Sequence, residues 1–313
     1  MLIARRLPAG GKDRLAECCS IKEGGLAATA ELLLTLAPGV DAIVADPTVS
    51  VGEHLLEAAG PQLRVVANFA VGHDNVDLDA CRSRDVVVTN TPDVLTDATA
   101  ELALCLTLAA ARRTTEAEAD LRAGRWHGPD PGGYLGLELR GATFGIVGMG
   151  RIGHRYAELV TPLAGDIVYT SRTAEAGVER SPGAVRVELE ELLRRAEVVS
   201  LHVPATPETV GMIGRRELQT MKPHAVLINT ARGSLVDPAA LSEALREGAI
   251  GAAGLDVYEH EPDVPDELLR APHCVLLPHI GSATTSARDA MARLVADNVI
   301  AALQGAEPPN RVA

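Results

Sequence analysis

Between Thr143 and Pro278 the chain alternates buried runs with helical stretches so regularly that few folds can accommodate it. Candidate strands fall at residues 143–147, 167–170, 198–203, 225–230, 252–257 and 274–277. Six such runs separated by helices predict a doubly wound parallel sheet. One connecting helix is signed at both ends, because Asp237 can cap it, Pro238 suits its first position and Gly248 can end it.

Upstream, short β-rich runs at 2–4, 42–45, 64–67 and 86–88 alternate with helical stretches such as 28–36, which predicts a smaller parallel α/β domain. A longer helical pattern follows, with Ala98, Glu101, Leu102, Cys105, Leu106 and Ala109 at 3.6-residue spacing. The hinge is expected just before it, at 91–94, with a second at 283–286. Residues 283–304 are again helical and are expected to return to the first domain. The predicted division is 1–93 with 285–313 as one domain and 94–284 as the other.

The chain's 313 residues fit two domains of ordinary size, and 47% hydrophobic against 23% charged residues can fill two cores. The net charge of -13 argues against nucleic acid or an anionic membrane as partner. No apolar stretch is long enough to span a bilayer. Five cysteines, Cys18, Cys19, Cys81, Cys105 and Cys274, form no C-x-x-C pair or metal-like cluster. That suits a reducing cytoplasm, buried structural thiols and no metal.

The first strand of the larger domain runs into Gly148-Met149-Gly150-Arg151-Ile152-Gly153 and then into a helix with Ile152, Tyr156, Leu159 and Val160 on one face. A G-x-G-x-x-G turn between strand and helix is a dinucleotide site. Gly148 allows the tight turn, Gly150 lets backbone approach a pyrophosphate, Gly153 lets helix pack on strand, and helix N-terminal amides bind the phosphates. At the end of the next strand an acid normally holds the ribose 2′-hydroxyl of NAD; here stand Ser171, Arg172 and Thr173. Hydroxyl, guanidinium and hydroxyl suit a 2′-phosphate, so NADP is the expected cofactor and NAD the alternative, with Glu175 a possible ribose ligand in that case.

Three further segments end later strands: Asn229-Thr230-Ala231-Arg232-Gly233, then Gly254-Leu255-Asp256-Val257-Tyr258-Glu259-His260-Glu261-Pro262, then Leu277-Pro278-His279-Ile280-Gly281-Ser282. Strand carboxyl ends are where ligands sit in open α/β sheets, so one Arg, one acid and one His converge there. Together with the glycine turn, with Val71-Gly72-His73-Asp74-Asn75-Val76-Asp77 and with Asn90-Thr91-Pro92, they closely resemble the D-isomer-specific 2-hydroxyacid dehydrogenases, most of all the glyoxylate and hydroxypyruvate reductases. The likeness runs from about Asp41 to about Asn298.

That resemblance implies a Rossmann domain inserted into a flavodoxin-like substrate domain, a homodimer, and hydride transfer between NAD(P)H and C2 of a small 2-oxo or 2-hydroxy acid. By resemblance Arg232 binds substrate, Glu261 is the acid of the relay and His279 the proton donor or acceptor. Each role is chemically sound. A guanidinium grips a 2-oxo acid in a fork, an imidazole protonates the carbonyl oxygen as hydride reaches C2, and a neighbouring carboxylate orients that imidazole and favours its protonated form. Glu261 is preferred over Glu259 and His260, which are assigned to solvent, because it directly precedes proline as the family's acid does. Thr230, Ala231 and Asp256 are counted with the cofactor site, Asp256 at the nicotinamide carboxamide.

Amides of Val71 and Gly72 are expected to meet the substrate carboxylate. His73 stands where relatives often carry an aromatic residue, Ala142 where Lys is common, and Trp126 lies in a segment near the relatives' dimer contact. Rival readings are a dehydrogenase for a larger, D-lactate-like or phosphorylated acid, and a nucleotide-sensing corepressor of the same fold. The 71–77 loop offers no Arg or Lys for a phosphate, and the chain is expected to be compact from end to end, unlike a corepressor with disordered tails.

Overall fold

The computed structural model describes residues 1–172 and 183–313. They divide into two compact units, Met1–Leu95 with Ser282–Ala313, and Thr96–Gly281. Each is built on one parallel sheet.

In the first unit, β1 (Leu2–Ile3), β2 (Lys22–Glu23), β3 (Ala42–Ala45), β4 (Val65–Asn68) and β5 (Val87–Thr89) pair in the order β2-β1-β3-β4-β5, the flavodoxin-like order. Successive side chains of a strand face opposite ways, and here both faces are covered. Leu2, Ile43, Val66 and Val88 enter one apolar cluster with Leu55 and Leu56. Ile3, Val44, Val65 and Ala67 enter another, against Ala292, Val295, Ala296 and Val299 of the helix Thr285–Leu303. The chain end adds an antiparallel finger on the β5 edge: the Val88 amide donates to the Ala313 carbonyl at 2.8 Å and the Val312 amide to the Val88 carbonyl at 2.7 Å.

The second unit holds β6 (Ala142–Val147), β7 (Ala164–Thr170), β8 (Val185–Arg186), β9 (Val198–Leu201), β10 (Val226–Asn229), β11 (Ala252–Leu255) and β12 (Cys274–Leu276), ordered β12-β11-β10-β9-β6-β7-β8. The order reverses between β6 and β9, so the ligand crevice of such a sheet lies above their carboxyl ends. Phe144, Ile146, Tyr169 and Ile228 fill one face of the sheet; Val147, Val168, Leu227 and Leu255 fill the other. The helix Thr96–Ala111 opens the unit, and its Thr99 lies against Gly281, where the unit closes. The helix Pro238–Glu247 starts and stops as its sequence dictates: the Asp237 carboxylate accepts from the amides of Ala239 and Ala240, and Gly248 ends it at φ 70°.

Two elements depart from expectation. β2 and β8 are two-residue edge strands carrying exposed residues, so no apolar run announces them. The thiols are less uniformly buried than expected: Cys81 is buried, whereas Cys18 and Cys105 are exposed. Among the described residues no helix is long and apolar enough to cross a membrane.

Candidate active site

The glycine turn leaves β6 at Val147. Gly148 has φ 96°, and a Cβ there would stand 2.7 Å from the His202 carbonyl oxygen, so only glycine fits between β6 and the chain leaving β9. Gly153, in the first turn of the helix Arg151–Val160, would place a Cβ 2.0 Å from the Gly148 carbonyl oxygen. By contrast, a Cβ on Gly150 would meet nothing within 4 Å. The open space lies in front of a helix N-terminus that has no side-chain cap and no acidic residue in its first turn. A diphosphate fits that environment, since unsatisfied amides and the positive end of the helix dipole face it. Met149 is buried, Ile152 is half-buried against the core, and Arg151 is exposed.

Ser171 and Arg172 follow β7, the first half-buried and the second exposed. Glu208 feels Arg172: its hydrogen bond with Thr206 and, more weakly, the Arg172 charge hold its carboxyl below the usual range. Thr173 and Glu175 lie outside the described residues.

Along the sheet, β10 delivers Arg232 through a turn organised by Asn229. The Asn229 side chain donates to the Arg232 carbonyl at 2.7 Å and accepts from the Ala231 amide at 3.0 Å. Gly233 then packs so tightly on Tyr258 that a Cβ would meet its carbonyl carbon at 2.0 Å, which seats the arginine turn on the segment carrying Glu261. Arg232 is half-buried and its Nη1 donates to the Ala231 carbonyl at 2.7 Å. Thr230, just before it, has a buried Oγ1 with no protein partner among the described residues. Orphaned hydroxyls of this kind are costly unless a ligand or water meets them.

β11 ends in Asp256, which is fully buried and accepts from the amides of Ile280 and Gly281 at 2.7 and 2.8 Å. Burial raises its carboxyl above the usual range, against the pull of those amides and of His279. The two amides also fix the turn after β12 that carries His279, whose own amide donates to the Asp256 carbonyl at 2.8 Å. His279 is held at φ 53°, a left-handed conformation that costs a non-glycine residue energy and persists only where its surroundings impose it.

His279 Nδ1 lies 2.6 Å from Glu261 Oε2. The other carboxylate oxygen, Oε1, accepts from the Tyr258 amide at 3.0 Å, and the Tyr258 hydroxyl donates to the Leu277 carbonyl at 3.0 Å. Burial opposes ionisation of Glu261, but its bonds to His279 and Tyr258 and the Arg232 charge outweigh it, so the carboxyl sits below the usual range. An ionised Glu261 requires Nδ1 to carry a proton, which turns Nε2 away from the pair as the reactive nitrogen. Glu259 and His260 are exposed. One unit thus gathers Arg232, Asp256, Glu261 and His279, while Val71 and Gly72 belong to the other. There the side chains of Asn90 and Asn68 donate to the carbonyls of Val71 and Gly72 at 2.8 and 2.7 Å. Sequence reasoning gives no role to Asn229 or Tyr258; an asparagine two residues before a turn amide is the only written signal.

Residues 104–281 match the family model described as D-isomer specific 2-hydroxyacid dehydrogenase, NAD binding domain. The chain belongs to the D-isomer specific 2-hydroxyacid dehydrogenase family. It is 46% identical over 318 residues to the glyoxylate reductase of Thermococcus litoralis, covering 100% of this chain and 96% of that protein. A Thermus thermophilus protein of known crystal structure is 42% identical with a TM-score of 0.92, covering 100% of this chain and 99% of that one. The NADPH-dependent glyoxylate/hydroxypyruvate reductase from Sinorhizobium meliloti, solved with NADP and malonate, is 37% identical with a TM-score of 0.87, covering 100% and 96%. As a 2-hydroxyacid dehydrogenase, the chain is an oxidoreductase that works with a nicotinamide cofactor.

Proposed function

We propose that this dehydrogenase reduces glyoxylate to glycolate and hydroxypyruvate to D-glycerate with NADPH. The observation that carries the reading is the 2.6 Å pair of His279 and Glu261 beside Arg232, at the strand ends of a sheet whose glycine turn accepts a dinucleotide. The names of the relatives support the substrate class.

Residues 148–153 hold the diphosphate, Ser171 and Arg172 the adenosine ribose, and Thr230, Ala231 and Asp256 the nicotinamide end. When bound, the cofactor supplies the hydride. Arg232 grips the substrate carboxylate through its fork and draws electron density from the adjacent carbonyl. His279 holds a proton at Nε2 towards the carbonyl oxygen and donates it as C2 is reduced; in the oxidation direction it takes that proton back. Glu261 keeps the ring oriented and stabilises its cationic form.

The preference for NADPH rests on Ser171 and Arg172, which present a hydroxyl and a guanidinium and no carboxylate. A partly exposed arginine–phosphate pair contributes on the order of 1 to 3 kcal/mol, roughly a 5- to 150-fold preference. By the family resemblance the active species is a homodimer, with the exposed side chains of Leu121, Trp126 and Leu135 as candidates for its interface.

Initial rates with glyoxylate, hydroxypyruvate, pyruvate and phenylpyruvate, each with NADPH and NADH, test the reading. The two small hydrophilic acids with NADPH should give the highest kcat/KM. A clear lead for phenylpyruvate or for NADH would replace it, and no turnover with any of the four would end it.

A further inference from the structure

The edge strand β8 is two residues long and exposed, yet its Arg186 reaches over the end of β7. In the parallel register Arg186 sits beside Tyr169, two residues short of Ser171. From there its guanidinium donates to the Ser171 carbonyl through Nη2 at 2.8 Å and Nε at 3.2 Å, and Nη2 also faces the Arg172 carbonyl at 3.4 Å. One planar fork thus holds the backbone of both residues that face the ribose in the reading above. A lysine would carry the same charge but could not span both carbonyls from a fixed plane.

We propose that Arg186 is a positioning residue for nucleotide selectivity. It fixes the Ser171–Arg172 backbone so that the Ser171 hydroxyl and the Arg172 guanidinium converge on a 2′-phosphate, and it brings a second positive charge to that point. The inference rests on the NADPH reading and deepens it. The ligand chemistry is an adenosine 2′-phosphate, and the residue that positions its ligands comes from the edge strand β8. A residue that merely tied β8 to β7 would affect every nucleotide alike; one that positions the phosphate ligands affects only those carrying the phosphate.

Calorimetric titration with 2′-phospho-ADP-ribose and with ADP-ribose separates these outcomes without any turnover. The titrations use the unmodified protein, Arg172→Ala, Arg186→Met and Arg186→Lys. Arg186→Met should weaken 2′-phospho-ADP-ribose about 10-fold and change ADP-ribose by less than about 2-fold, the scale of one charge-assisted hydrogen bond. Arg186→Lys should recover only a minor part of the loss. Equal weakening of both ligands, no weakening of either, or full recovery with lysine would overturn the positioning role. If the unmodified protein does not distinguish the two ligands, the NADPH reading fails and this inference with it. If it does, and Arg172→Ala removes the distinction while Arg186→Met leaves it intact, only the role of Arg186 fails.

Discussion

Replacing Glu261 with Gln tests the relay at its most specific point. The carboxylate has two obligations, accepting from His279 Nδ1 at 2.6 Å and from the Tyr258 amide at 3.0 Å. An amide side chain has one acceptor oxygen and one donor nitrogen, so it can serve only one of the two donors as before. The loss is a charge-assisted hydrogen bond, about 1.5 to 3 kcal/mol when well shielded. Glu261 is 16% exposed but His279 is 33% exposed, which puts the effect near the lower end of that range. The pH profile of 2-oxo-acid reduction should therefore move to lower pH, and kcat near neutrality should fall about 10-fold, the scale of one charge-assisted hydrogen bond, with cofactor affinity little changed. The assay is kcat for glyoxylate across roughly pH 5 to 9. The stability of the two proteins gives a check on sign. Because the folded state holds the Glu261 carboxyl below its ordinary value, its contribution is fully present above that ordinary value and is lost as pH falls through the lower folded one. Parent and variant should accordingly converge in stability in acid. An unmoved profile would refute the reasoning, as would an equal shift from Glu259→Gln.

Gly150→Ala should leave the fold intact and weaken nicotinamide-nucleotide binding at least about 10-fold, because its methyl group would fill the open space before the helix. Gly153→Ala, with a clash at 2.0 Å against backbone, should instead fail to yield folded protein; a soluble Gly153→Ala of normal Tm would contradict that. Tyr169→Phe should stabilise the second unit by about 1 kcal/mol, since the Tyr169 hydroxyl is buried without a partner among the described residues; a lower midpoint in urea would show that the hydroxyl is satisfied in solution. Glu197→Gln should destabilise by about 1 to 3 kcal/mol near neutral pH, because Glu197 accepts from the Thr143 amide and pairs with Lys222. Burial opposes its ionisation, but those partners hold its carboxyl below the usual range, so the difference should shrink as pH falls through that lower value; a difference constant with pH would count against the pairing.

The strands of the second sheet are legible in the sequence because both faces are buried, which writes each as an apolar run. Their ends are not. Residues 202–203, 230, 256–257 and 277 continue the apolar or polar pattern of their strands but lie past the last residue of each strand, where the chain turns towards the candidate site. β2 and β8 leave no trace, since Lys22–Glu23 and Val185–Arg186 are exposed and carry no periodicity. Arg232, Glu261 and His279 can be named from local segments because each stands at a strand end within a distinctive string. Asn229 and Tyr258 act on backbone groups, and Arg186 acts from across a strand pair, so the relevant neighbours are not adjacent in the chain. The αL conformation of His279 is equally hidden, because Asp256 imposes it from 23 residues upstream through the amides of Ile280 and Gly281.

The meeting of Thr99 with Gly281 bears on the order in which the protein assembles. The first unit needs the helix Thr285–Leu303 and the final residues at β5 before its sheet is covered, yet the whole of 96–281 intervenes. Closing so long a loop in an unstructured chain costs about 4 to 5 kcal/mol of entropy. Once the inserted unit has folded, its two ends stand side by side, and to the rest of the chain it counts as a short connector. The continuous unit can fold as soon as it leaves the ribosome, whereas the split unit must wait for residues 282–313 to be made. The inserted dinucleotide unit is thus the template on which the discontinuous one becomes kinetically accessible.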